Sequence, residues 1–102
     1  MRNIDKLYLM AINANNGTMD MKQLMILSSK FGLFSIPVEK LRSLGFVVDD
    51  QTRPVQITSL GKEYAESISL ETLIKEIEKE DHDLIKMESI LDFFRVKGCL
   101  IC

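Results

Sequence analysis

The sequence predicts a mainly α protein with a small β-hairpin, followed by a long C-terminal amphipathic helix. Three observations predict it. Apolar residues recur at helical spacing in residues 3–44 and again in 60–68. Two short apolar runs, 46–48 and 55–57, flank the polar stretch "DDQTRP". From Leu70 onward a seven-residue apolar repeat runs for four heptads.

The first helix is expected over residues 3–13, with Ile4, Leu7, Tyr8 and Ala11 on one buried face. "NANNGT" ends it, and Gly17 suits the left-handed conformation that closes a helix. Asp20 caps a second helix reaching Phe31, with Leu24, Leu27 and Phe31 inward and Ser28 beside them. Gly32 stops it. Ser35 is the natural cap of a third helix, because Pro37 then falls in the first turn, where its missing N–H costs nothing. That helix should end at Leu44 before Gly45, with Val38, Leu41 and Leu44 inward. The hairpin follows, and Thr58 or Ser59 caps a helix carrying Leu60, Tyr64, Ala65 and Ile68.

Two stretches, "EKLRSLGFVVDD" and "RPVQITSLGKEYAESI", resemble the second half of a winged helix-turn-helix DNA-binding domain. Leu41, Leu44, Gly45, Phe46 and Val47 match the end of that family's recognition helix and its following strand. Ile57, Thr58, Gly61 and Lys62 match the return of its wing into a helix. The similarity covers residues 3–68, and the third helix is about one turn shorter than the family's. It implies a domain over residues 1–68, with residues 69–102 as a dimerisation helix and short tail. Small archaeal DNA-binding regulators have a similar layout, one winged helix followed by one dimerising helix.

The resemblance implies double-stranded DNA as partner and transcriptional regulation as function. Lys40, Arg42 and Ser43 would meet phosphates or base edges, Arg53 and Thr52 the backbone or minor groove, and Lys22 and Lys30 further phosphates. Composition qualifies this. The formal charge is -2; residues 1–66 hold eight Lys/Arg against seven Asp/Glu, and residues 67–102 five against eight. Any polyanion contact is therefore local and made by the first part. The outer face of the third helix centres on Ile36, Glu39 and Ser43, which does not suit base readout. If the hairpin is a wing, Gln51, Thr52 and Arg53 lie at its tip, with Asp49 and Asp50 behind them restraining Arg53 when no ligand is present. A polar turn with a proline is equally what any exposed hairpin needs. The alternative function is a winged-helix protein-interaction module that binds no DNA.

In the C-terminal part, Leu70, Ile77, Leu84 and Leu91 occupy one heptad position, and Leu73, Glu80, Met87 and Phe94 the other. One helix over residues 69–95 would be about 40 Å long. A second chain would then cover its distal part, making a homodimer through Leu70, Leu73, Ile77, Leu84, Met87, Leu91 and Phe94, with Ile85, Ile90 and Phe93 widening the seam. The alternative folds the helix back on its own domain, with a break near "EKEDHD".

The two cysteines fall in "CLIC". That ending fits a loose prenylation outline with Cys99 as acceptor, although Cys102 is an unusual final residue and no polybasic run flanks it. The other readings are a free thiol tail or an intermolecular disulfide through Cys99 or Cys102. His82 lies among Glu80, Asp81 and Asp83, whose side chains would leave a helix in different directions, so no metal site is expected. Without a nucleophile beside a base or a glycine-rich phosphate loop, neither enzymatic activity nor a cofactor is expected. No apolar stretch reaches membrane-spanning length, and the start lacks a signal-peptide core, so a cytoplasmic protein is expected.

Overall fold

The computed structural model describes residues 1–33, 36–50, 53–80 and 86–98. Local chemistry sets most of the element boundaries. Asp5, in the first turn of α1 (Asn3–Ala14), accepts the backbone N–H of Arg2 at 3.0 Å and so closes the helix start. A two-residue strand β1 (Thr18–Met19) follows, and then α2 (Met21–Phe31). Asp20 and Gln23 form a reciprocal capping box at the start of α2, and Gly32 ends it in the left-handed conformation at φ 72°.

The third helix, α3 (Val38–Ser43), is short. The hairpin is β2 (Val47–Asp50) and β3 (Arg53–Ile57), and α4 (Ser59–Ser67) starts where the Thr58 hydroxyl accepts the N–H of Gly61. Last come α5 (Leu70–Lys79) and α6 (Met87–Val96). The protein is mainly helical with one three-stranded antiparallel sheet in the order β1-β3-β2. Thr18 pairs with Gln56 and Met19 with Val55, so β3 is the central strand and β1 one edge.

The core forms around α1. Its Leu7, Tyr8, Leu9, Ala11 and Ile12 are all buried, because α4, α5 and β3 pack on different sides of it. Each large apolar side chain enclosed there contributes roughly 1.5–3 kcal/mol before entropic costs. Leu24, Leu27 and Phe31 close one flank from α2, and Val38 and Leu41 from α3.

Several sequence expectations change. Leu44 is 43% exposed, because α3 stops at Ser43 and the chain turns outward through Gly45 at φ 79°. Phe46 precedes β2 and does not belong to it. The expected single C-terminal helix is two helices: Glu80 turns extended at ψ 135° and ends α5. α6 returns to pack on α2, where the Lys86 N–H donates to the carbonyl of Phe31 at 2.9 Å and the Phe93 ring meets the Phe31 ring edge-on.

The seam expected to meet a second chain therefore lies inside this one. Leu73, Ile77 and Phe94 are buried in the common core, and Leu70 and Met87 pack half-buried against it. Leu91 is half-buried as well. The physical reason is geometric: two short helices lay the same stripe against α1 and α2 that one straight helix would carry beyond them. α5 and α6 thus share the core of α1 to α4. Leu84, Ile85, Ser35, His82, Cys99 and Cys102 lie outside the described residues, and so do the metal, prenylation and disulfide readings attached to them. Among the described residues no helix is long and apolar enough to cross a membrane.

Candidate nucleic-acid interface

The turn from α3 into the hairpin is fastened to the start of α4. The Thr58 hydroxyl donates to the Gly45 carbonyl at 2.6 Å, and the Thr58 N–H donates to the Phe46 carbonyl at 2.9 Å. Gly61 lies directly against that carbonyl; a Cβ built on it would sit 2.1 Å from the Phe46 oxygen. The Phe46 and Tyr64 rings stack beside it, 4.8 Å between centroids. Leu-Gly-Phe and Ile-Thr-x-x-Gly, distant in sequence, are thus the two halves of one joint. It sets the angle at which the hairpin leaves α3.

On that frame sit the cations expected to meet DNA. The Lys40 ammonium is 2.9 Å from Asp5 Oδ2, and the Asp5 side chain is shielded from solvent. Burial pushes the Asp5 carboxyl up, but hydrogen bonds from Lys40 and from the backbone and side chain of Arg2 outweigh it. Its pKa lies below the ordinary value, so Asp5 is a carboxylate and Lys40 is its counterion.

The Arg42 guanidinium donates to Asp49 Oδ1 at 2.8 Å and lies 3.7 Å from Glu39. The hydrogen bond from Arg42 to Asp49, reinforced by their charges, raises the Arg42 pKa above its usual value. This pair ties the end of α3 to β2. Asp49, expected to restrain Arg53, here holds Arg42. Arg53 opens β3 opposite Asp50, and with Val48, Asp49, Pro54 and Gln56 it lines a hollow of about 240 Å³. Arg53 is exposed and is itself engaged by a partner. The Ser43 hydroxyl donates to the Lys40 carbonyl at 2.8 Å.

Arg42, Asp49 and Arg53 are thus brought together at one edge, with Ser43 next to Arg42 in sequence. Lys40 is drawn away towards α1. Lys22 is exposed in the first turn of α2, and Lys30, in its last turn, lines a different groove against α6. Glu39 is 92% exposed in its side chain. Thr52 and Gln51 lie outside the described residues.

Comparison with family models, curated proteins and solved structures finds no match to this chain. The contacts of Asp5 with Lys40 and of Asp49 with Arg42 are not legible in the sequence. Neither acid carried a periodic signal: Asp5 reads as a first-turn acid and Asp49 as a turn residue, and only the fold places them beside Lys40 and Arg42. Chemically, the edge carries two guanidinium groups, each engaged within the chain, and the carboxylate of Asp49 that holds Arg42. Among the described residues there is no cluster of three metal-ligating side chains.

Proposed function

We propose that the chain is a winged helix-turn-helix domain that binds double-stranded DNA through the phosphate backbone and acts in transcriptional regulation. The order α1-β1-α2-α3-β2-β3 with sheet order β1-β3-β2 supports the winged-helix reading, and α5 and α6 complete its core. The observation that carries the DNA reading is that Asp49 contacts Arg42 at 2.8 Å and lines the same hollow as Arg53, where α3 meets the hairpin. Both guanidiniums would pair with phosphates in exchange for their present partners.

This mode is backbone-directed. Glu39 stands at the centre of the outer face of α3, Lys40 is paired with Asp5 and Arg42 is held at the helix end by Asp49, so the centre of that face presents no donor for base-edge readout. Leu70, Leu73, Ile77, Met87 and Phe94 of the expected dimer seam are used within the chain, so the contact is counted for each chain by itself.

Fluorescence anisotropy on mixed-sequence duplexes tests the reading. Two neutralised phosphates give a logarithmic salt slope of about -2, and Arg53→Ala reduces it by about 1 for all sequences alike. An intact protein that binds no duplex at low ionic strength overturns it. The protein-interaction reading then takes its place, favoured by the exposed Glu39 and the occupied Lys40.

A further inference from the structure

The outer face of α2 has a chemistry that a phosphate backbone does not use. Met21, Met25 and Ser29 follow one another at four-residue spacing, and Lys22, Ile26 and Lys30 do so in the adjoining row. All six are exposed, with Met21 and Ile26 at 48% and Met25 at 60%. Residues 21–31 contain no acid, and no partner is found for Lys22 or Lys30 among the described residues. The two rows thus form one strip: methionines along one side, an isoleucine flanked by two cations along the other. Towards its C-terminal end the strip opens into a groove of about 530 Å³ between α2 and α6, lined by Lys30, Ser89, Asp92, Phe93, Val96 and Lys97. Val96 is 84% exposed there, and the Phe93 ring forms part of the wall. Asp92 is paired with Arg95 at 3.1 Å, so the groove stays cationic.

We infer that the α2 face, continued into the α2–α6 groove, is a docking site for an acidic amphipathic helix of a partner protein. Charge selects the occupant. Lys22 and Lys30 are two turns apart, about 12 Å along the helix axis. A helix laid alongside, with carboxylates about two turns apart on either side of an apolar centre, meets both cations while covering Met25, Ile26 and Val96. Methionines suit such a contact because their unbranched side chains repack around a partner. The protein's own acidic helix does not fit: the exposed residues of α5 are Glu71, Thr72, Lys75, Glu76, Glu78 and Lys79, with no large apolar group among them. The inference does not depend on DNA binding, since it uses neither Arg42 nor Arg53.

The test is a titration of the ¹⁵N-labelled full chain with a synthetic helical peptide. It carries leucines on one face and two glutamates seven positions apart, and a control peptide has lysines in place of those glutamates. The expected result is amide shifts confined to residues 21–30 and 89–97 with the acidic peptide. Its affinity should be at least tenfold above the control's, and Lys22→Glu with Lys30→Glu should reverse that preference. Met25→Ser, an exposed change that leaves the core intact, should weaken binding severalfold without altering the circular dichroism. Equal binding of both peptides, shifts elsewhere, or no binding overturns the inference. So does concentration-dependent self-association of the chain alone that shifts these same residues, which would give the face to a second copy.

Discussion

The ammonium of Lys40 lies 2.9 Å from the carboxylate of Asp5, a group that solvent does not reach. The contact crosses from α3 to the first turn of α1, so a residue that reads as a ligand-binding cation is a brace between two helices. Its removal leaves a shielded charge with Arg2 as its one partner among the described residues.

Lys40→Met should therefore destabilise the fold by about 1.5–3 kcal/mol, the range for losing a hydrogen bond to a charged group. Because the folded pKa of Asp5 is depressed, its contribution is present above the unfolded value, about 3.9, and disappears as pH falls through the folded value. Urea unfolding of wild type, Lys40→Met and Asp5→Asn at pH 7 and in the acid range checks both points. The difference between wild type and Asp5→Asn should shrink as pH falls below about 4.

Gly61→Ala should cost about 3 kcal/mol, because its methyl group would meet the Phe46 carbonyl at 2.1 Å and the backbone there cannot step aside without breaking the bonds to Thr58. The midpoint of urea unfolding reads the loss directly. A midpoint within experimental scatter of wild type would mean that the joint is looser than its geometry.

Phe94→Ala should cost about 3–5 kcal/mol by opening a cavity. Truncation after Ile68 removes Leu73, Ile77, Ile90 and Phe94 together. A small domain has about 5–15 kcal/mol in total, so the fragment should lose cooperative unfolding altogether. A fragment 1–68 that melts cooperatively would show α5 and α6 to be dispensable.

Asp49→Asn should strengthen binding to mixed-sequence DNA severalfold, since the carboxylate that competes with phosphate for Arg42 is removed. Arg42→Gln in the same background should abolish the gain. If the wild type binds duplex and Asp49→Asn binds no better, Asp49 merely positions Arg42.

The elements that sequence reasoning located well are those whose ends are decided locally. Asp20 with Gln23, Gly32 and Thr58 each complete a helix terminus from within a few residues, so their pattern is visible without the fold. β1 is different. It has two residues, and its partner β3 lies more than thirty residues away, so nothing near Thr18 announces a strand. The heptad repeat keeps its register across a break, so the sequence reads as one C-terminal helix where the structure has two. Glu80, the one polar residue in the seam, marked the break that the apolar positions concealed. At the candidate site, cation types and positions were legible but their partners were not, because Lys40–Asp5 and Arg42–Asp49 depend on how helices and strands cross.

The bond from the Lys86 N–H to the Phe31 carbonyl has a bearing on how the chain is made. Phe31 is covered by α6, and Ile90 and Phe94 are among the most deeply enclosed side chains. These late residues leave the ribosome long after α1 and α2. At about 5–20 residues per second, roughly 3–13 s separate the synthesis of Phe31 from that of Phe94. Through that interval the inner face of α2 has no native cover on its α6 side. A growing chain stalled before residue 86 should therefore be open to proteases and holding chaperones at Leu27 and Phe31, and should close only once α6 is released.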